Sequence, residues 1–206
     1  ETRLALGNTL RFSLSALALA TVLGLTHAVA ARHSVGLRAS AFLPFVVSPV
    51  TVAFGLLLLY PQWTASLSLL LAAYALLAYP FVAKSVGSAL DSLPAHLEQA
   101  ARSLGASSWR CFWRVTLPLV APALRRGMAF AAATSLGEFA VTLFLSRPEW
   151  MTLTTLIYQR LGRPGAANLD AALMLACLLM ALSLTAFLLI EKTPGRSTLR
   201  KDALHA

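Results

Sequence analysis

The chain has 206 residues, of which 58% are hydrophobic and only 12% are charged, and its mean hydropathy is +0.72. A soluble domain carries about 25% charged residues, so this composition excludes an ordinary soluble enzyme and a disordered tail. The net charge is +9, but the cations lie between long apolar runs instead of clustering in one polar stretch. This pattern is typical of a membrane protein with basic loops, not of a nucleic-acid-binding protein. The two cysteines, Cys111 and Cys177, lie in different kinds of segment and are expected to be unpaired.

Five segments are long and apolar enough to cross a bilayer, whose hydrocarbon core of about 30 Å needs roughly 20 residues of helix. Because lipid cannot hydrogen-bond the backbone, each of these segments is predicted to be helical. The predicted spans are residues 12–31, 39–60, 63–83, 127–146 and 171–190. Prolines within them (Pro44, Pro49 and Pro80) are expected to kink or locally open the helices. The sequence therefore predicts an all-α polytopic membrane protein with a single transmembrane domain over residues 1–206.

The positive charges are distributed unevenly between the two alternating sets of connecting segments. Twelve of the seventeen Lys and Arg residues fall in residues 32–38, in 84–126 and in the tail from Glu191. The positive-inside rule places these segments in the cytoplasm and the N-terminus outside. An outside N-terminus without a signal peptide, and a first residue that is not Met, lead us to expect further residues upstream of Glu1.

The predicted cytoplasmic stretch 84–126 is too long for a simple connection and carries helix signals of its own. Asp91 or Ser92 is predicted to cap a helix that begins at Pro94, and Gly105 suits the left-handed turn that ends one. One face of this helix is apolar, through Leu93, Leu97, Ala101 and Leu104.

A second helix is predicted directly after the first. Ser107 or Ser108 can cap it, and Pro118 is expected to close it. Its aromatic face recurs at helical spacing through Trp109, Phe112, Trp113 and Thr116. The pattern fits either a helix lying on lipid headgroups or a hairpin that docks on a partner, and the spacing alone leaves both open.

The segment Gln99-Ala100-Ala101, three residues, Gly105, nine residues and Val115-Thr116-Leu117-Pro118 resembles the "EAA" signature of ABC importer permeases. Gln99 replaces the glutamate of that signature, and Glu98 supplies an acid one position earlier. The resemblance implies a type I importer core in which this hairpin is the coupling helix that docks on a cytoplasmic ATPase dimer. The implied coupling residues are Glu98, Gln99, Ala100, Ala101, Gly105, Ala106, Leu117 and Pro118.

Glu138 is the one acid within a predicted span, and burying an ionisable group in a membrane is costly. Thr134, Ser135 and Thr142 lie near it at helical spacing and form a small polar stripe. Two interpretations stay open, a lining of the substrate pathway or a helix-packing device.

Further stretches, Ser135–Phe139, Thr152–Tyr158 and Gly162–Gly165, resemble the ferric-iron and thiamine branch of these permeases. Molybdate and sulfate permeases share the Gly-Glu-Phe element, and molybdate, sulfate or polyamine are the alternative substrates. In the iron and thiamine branch two halves often occur in tandem, so the chain is expected to be the C-terminal half. The outer loop 147–170 is expected to face a soluble substrate-binding protein through Arg147, Trp150, Tyr158, Arg160 and Arg163.

Catalytic motifs do not occur in this sequence. No lysine follows a glycine, so there is no phosphate-binding loop, and ATP and Mg²⁺ are expected on the partner ATPase. We therefore expect no enzyme activity, cofactor or metal on this chain, and a multi-pass location in a bacterial inner membrane. The rival interpretations are an ion-gradient-driven secondary transporter, with Glu138 as its proton carrier, and a membrane scaffold without transport activity.

Overall fold

The computed structural model describes residues 1–64 and 66–192, so the tail cations Arg196, Arg200 and Lys201 lie outside the described residues. All regular elements of the described chain are helical, which confirms the all-α prediction. The α-helices are α1 (Thr2–Ala30), α2 (Val35–Ser40), α3 (Leu43–Val46), α4 (Pro49–Leu59), α5 (Leu67–Asp91), α6 (Ala95–Ser103), α7 (Ser108–Cys111), α8 (Leu117–Leu136), α9 (Ala140–Leu145), α10 (Leu153–Leu161) and α11 (Ala166–Lys192).

Three of these helices, α1, α5 and α11, are long and apolar enough to cross a membrane. They contain 29, 25 and 27 residues, and at about 1.5 Å per residue each exceeds the ~30 Å hydrocarbon core. A fourth candidate is the pair formed by residues 35–46 and α4, which is bent by 97°. The predicted spans 12–31, 63–83 and 171–190 thus fall largely within α1, α5 and α11, although α5 begins only at Leu67 and continues to Asp91.

As one continuous helix, the prediction over residues 39–60 is wrong, whereas the opening expected at Pro44 and Pro49 is confirmed. Pro44 and Pro49 each lie in the first turn of a new helix, α3 and α4, because proline has no N–H to continue a preceding one. Val47 and Ser48 between them are extended, as expected for Ser48, which directly precedes Pro49. Pro80, in contrast, lies inside the uninterrupted α5.

The prediction of one helix over residues 127–146 is also wrong. Helix α8 ends at Leu136, and α9 begins only at Ala140, so Glu138 lies in the break between them. The polar stripe through Glu138 is therefore divided between two helices.

Within the stretch 84–126, the connection between the long helices is shorter than the sequence indicated, because helices extend into the stretch from both sides. Helix α5 continues to Asp91 and α8 begins at Leu117, which leaves residues 92–116 as the connection. Helix α5 lies at the centre of the fold, where both α1 and α8 pack on it, while α10 and α11 pack against each other.

Candidate functional site

The hairpin that joins α5 to α8 has the local geometry that its sequence predicts at the turn. Gly105 has a φ of +81°, and the N–H of Ala106 donates to the carbonyl of Ala101 at 3.1 Å. This left-handed ending satisfies carbonyls that the last turn of α6 would otherwise leave free. The start of α6 differs from the prediction: Pro94 itself is the N-cap, and neither Asp91 nor Ser92 caps the helix.

The second half of the hairpin runs into the membrane domain without a break. The Ser107 hydroxyl accepts a hydrogen bond from the N–H of Arg110, which confirms the predicted cap of α7. A short π-helix over Phe112–Thr116 follows and leads directly into α8. Pro118 therefore lies in the first turn of α8 and does not close the hairpin, because a proline is tolerated where its N–H needs no helical partner. The second half of the hairpin and α8 are therefore one continuous helical segment.

Glu98 joins three separate parts of the chain. Its Oε1 atom accepts a hydrogen bond from Nη1 of Arg32 at 2.8 Å and another from the Thr116 hydroxyl at 2.9 Å. Arg32 follows the end of α1, and Thr116 is the last residue before α8, so α6 is tied to both helices. Partial burial raises the pKa of Glu98, but the two hydrogen bonds and the charges of Arg32 and Arg102 outweigh it and hold that pKa below its usual value.

The other predicted coupling residues are exposed or half-buried, and large apolar side chains are exposed beside them on the hairpin. Leu104, at the end of α6, is 89% exposed, and the rings of Trp109 and Trp113 contact each other edge to face while both stay exposed. The exposed members of the predicted set are Gln99, Ala100, Gly105 and Pro118, and the half-buried ones are Glu98, Ala101, Ala106 and Leu117.

Glu138 is buried in the break between α8 and α9. Its Oε1 atom accepts a hydrogen bond from the N–H of Val141 at 3.0 Å, in the first turn of α9. Its carbonyl oxygen accepts from the Thr154 hydroxyl at 3.0 Å and from the Tyr74 hydroxyl at 3.4 Å. These side chains satisfy backbone groups that the break would leave free in an apolar environment.

The structure places the other pathway candidates, Thr134, Ser135 and Thr142, near Glu138, but they differ in burial and in hydrogen bonding. Thr142 is buried and lies 2.8 Å from the Tyr74 hydroxyl. The Ser135 hydroxyl is buried with no hydrogen-bond partner within the described chain, and Thr134 is half-buried. Sequence reasoning missed Tyr74 and Thr154. A tyrosine in an otherwise apolar span was the available signal for Tyr74.

The predicted outer loop 147–170 is largely helical, since it contains α10 and the start of α11. The Arg147 guanidinium lies 5.4 Å from the Trp150 ring, and Tyr158 packs against Phe139 beside Glu138. Arg160 is engaged within the chain, where it bonds Glu1 at 2.7 Å, whereas Arg163 is exposed. Among the described residues, no three His, Cys, Asp or Glu side chains group together as a metal site.

Comparison with known proteins shows to which family this chain belongs. Residues 20–191 match the model of the binding-protein-dependent transport system inner membrane component. The chain belongs to this family.

Among curated relatives, the molybdenum transport permease ModB of Haemophilus influenzae is 38% identical over 111 residues, which are 52% of this chain and 48% of ModB. The putative 2-aminoethylphosphonate permease PhnV of Salmonella typhimurium is 31% identical over 75% of this chain and 59% of its own length. The sulfate permease CysT of Escherichia coli is 32% identical over 69% of this chain and 57% of its own. The matches thus span about half the length of these relatives, and their names do not single out the ferric-iron and thiamine branch.

Solved structures share the fold. The MetNI methionine ABC transporter, solved in inward-facing conformations, matches with a TM-score of 0.73 at 18% identity over 90% of this chain and 93% of that one. A bacterial alginate ABC transporter, solved with its periplasmic protein, matches with a TM-score of 0.68 at 21% identity over 91% and 76%. These likenesses confirm the ABC permease fold that the sequence predicts.

Proposed function

We propose that this permease is a membrane subunit of an ATP-driven importer, which forms one side of the substrate path and takes its drive from a separate ATPase dimer. A soluble binding protein delivers the substrate at the outer face, and a second permease half completes the path. In this arrangement the N-terminus of the chain lies outside and residues 92–116 face the cytoplasm. ATP and Mg²⁺ bind to the ATPase, and this chain carries out no covalent chemistry.

The observation that carries this proposal is the position of Glu98. Its carboxylate lies on α6 and binds both Arg32, next to α1, and Thr116, next to α8. Because α1 and α8 pack on α5, a displacement of α6 reaches the centre of the membrane domain through two connections. This is the arrangement that a device for transmitting motion from an ATPase requires.

For the substrate we propose a small tetrahedral oxyanion of the molybdate, sulfate or phosphonate class, and not ferric iron or thiamine. The support comes from the relatives, which are named for molybdenum, sulfate and 2-aminoethylphosphonate. Calorimetry on the cognate binding protein tests this directly. Binding of an oxyanion with no binding of ferric iron or thiamine supports the proposal, and the reverse result contradicts it.

The transport mechanism is tested by reconstituting the complete transporter in proteoliposomes with loaded binding protein outside and ATP inside. We expect uptake that requires both ATP and the ATPase and that is insensitive to an uncoupler. Vesicles without the ATPase are the matched control. Uptake that persists in those vesicles and collapses with an uncoupler would show a secondary transporter instead.

A further inference from the structure

We propose that a basic cavity beside the coupling hairpin binds the phosphate group of an anionic phospholipid. The cavity has a volume of about 200 Å³ and lies between the end of α1, the α2 segment and the second half of α5. Small residues leave this space open, namely Ala28, Ala31, Ala41, Ala83 and Gly87. Only the assignment of this end of the molecule to the cytoplasmic leaflet rests on the proposed function.

Cations dominate the polar lining of the cavity. Arg32, Arg38 and Lys84 line it together with the single carboxylate of Asp91. Arg38 pairs with Asp91 at 2.8 Å, and Arg32 pairs with Glu98 just outside the cavity. For Lys84, no carboxylate of the described chain lies within ion-pair distance, and its ammonium group instead lies 4.0 Å from the centre of the Phe42 ring.

The cavity therefore presents one uncompensated positive charge and a surplus of hydrogen-bond donors. Arg38 also donates from Nη2 to the carbonyl oxygen of Arg32 at 2.9 Å. Each guanidinium has five N–H donors, of which the ion pairs and this bond use one on Arg32 and two on Arg38. A phosphodiester carries a single negative charge and several acceptor oxygens, and it matches this balance. A dianion such as sulfate or molybdate would leave one negative charge unpaired.

The surroundings of the cavity indicate a lipid as the source of the phosphate. Residues 35–46 turn by 97° away from α4, so they run nearly perpendicular to it. They expose large apolar side chains, with Phe42, Leu43 and Val46 exposed by 43%, 63% and 80%. A short segment with an apolar outer surface beside basic residues is typical of a membrane interface. Basic pockets between helices at this level bind lipid headgroups.

The position of Lys84 along α5 agrees with a location at the membrane interface. Helix α5 has 25 residues and extends about 37 Å at 1.5 Å per residue, which is longer than the ~30 Å hydrocarbon core. Lys84 lies seven residues before its last residue, Asp91, near the end that leads to the hairpin. From there a lysine can place its stem along apolar surface and its ammonium group at the headgroups.

The test uses the assembled transporter in a neutral detergent, titrated calorimetrically with dioctanoyl phosphatidylglycerol. We expect Lys84→Gln to weaken binding and the Lys84→Gln/Arg38→Gln double variant to raise the Kd at least tenfold. Lys84→Arg should keep the wild-type Kd within about twofold, because it keeps the charge. Arg3→Gln removes one charge at the opposite end of α1 and serves as the matched control, with an unchanged Kd.

Three results would overturn the proposal. One is a Kd that the double variant does not change, provided that its thermal unfolding matches the wild type. Another is binding of dioctanoyl phosphatidylcholine as tight as that of the anionic lipid. The third is binding of inorganic phosphate, sulfate or molybdate as tight as that of the lipid, which would identify a soluble anion as the ligand. Uptake measurements are independent of this titration, so loss of the proposed function would not imitate any of these results.

Discussion

Gly127 of α8 lies directly against the backbone of Val82 in α5. A methyl group placed on Gly127 would be 2.8 Å from the Cα atom of Val82 and 3.0 Å from the carbonyl oxygen of Phe81. Gly24 of α1 approaches the same residue, since a methyl group there would be 2.6 Å from the Cβ atom of Val82. Three helices therefore meet around Val82 through glycines, as small residues permit in membrane bundles.

We expect Gly127→Ala to destabilise the permease by about 2 kcal/mol, because the added methyl group meets backbone atoms of α5 that cannot move aside without shifting the helix. For a chain of this size, that corresponds to a decrease in Tm of roughly 4–8 °C in a detergent melt. Gly55→Ala is the control, because nothing lies within 4 Å of its added methyl group. A Gly127→Ala variant as stable as Gly55→Ala would show that α5 and α8 are packed less closely than these distances indicate.

The fold could be predicted from the sequence where the length of an apolar run was enough to identify a helix. The uninterrupted apolar runs 12–31, 63–83 and 171–190 each identify one long helix, although the helices begin and end at other residues than the runs do. The apolar run 39–60 does not form one helix, because apolar length does not determine the direction of a helix axis. Pro49 permitted a turn of 97° there. The break at Glu138 depends on Tyr74 and Thr154, which are distant in the sequence and supply the hydrogen bonds that make an open backbone tolerable.

The contribution of Glu98 to stability should depend on pH. Its pKa is lower in the folded protein than in the unfolded chain, so its contribution is complete above the ordinary carboxyl pKa of 4.5 and is lost as the pH falls through the folded value. Near neutral pH we expect Glu98→Gln to cost about 1 kcal/mol, because the group is only partly buried.

Melting curves of wild type and Glu98→Gln between pH 7 and pH 3 measure this difference, which should shrink below about pH 4.5. Asp91→Asn is the matched control, because both members of its pair with Arg38 are nearly half exposed, and such pairs contribute little. A difference that stays constant over the whole pH range would contradict a role for the charge of Glu98.

The sequence motif of the candidate coupling site could be predicted, but the contacts that connect the hairpin to α1 and α8 could not. The spacing from Gln99 to Pro118 was enough to identify the hairpin, and Gly105 has the left-handed backbone that its position requires. The contact of Glu98 with Arg32 was not predictable, because it joins residues 66 positions apart. The continuity of the hairpin with α8 was missed, because Pro118 was interpreted as the end of a helix instead of the first turn of one.

Substitutions at Gly105 test whether the left-handed backbone of the turn is required for uptake. No atom of the described chain lies within 4 Å of an added methyl group there, so within this chain the penalty comes from the φ of +81°. We expect Gly105→Val to reduce ATP-driven uptake severalfold, because a β-branched residue resists the left-handed region. Gly105→Asn should retain most uptake, since asparagine tolerates that region. Equal uptake by Gly105→Val and wild type would show that the hairpin is not a coupling element.

Two substitutions at Glu138 should separate a packing role from a pathway role. If the side chain serves to hold the start of α9, Glu138→Gln keeps an acceptor oxygen for the N–H of Val141, and both stability and uptake should stay near wild type. Glu138→Ala removes that acceptor and should lower the stability by about 1 kcal/mol, as loss of a helix cap does. Glu149→Gln, in the exposed outer segment, is the matched control for removal of one negative charge. Melting curves and proteoliposome uptake are measured on all three variants. A Glu138→Gln protein that melts like the wild type but transports nothing would assign the carboxyl group to the substrate path, because only the ionisable group has then been lost.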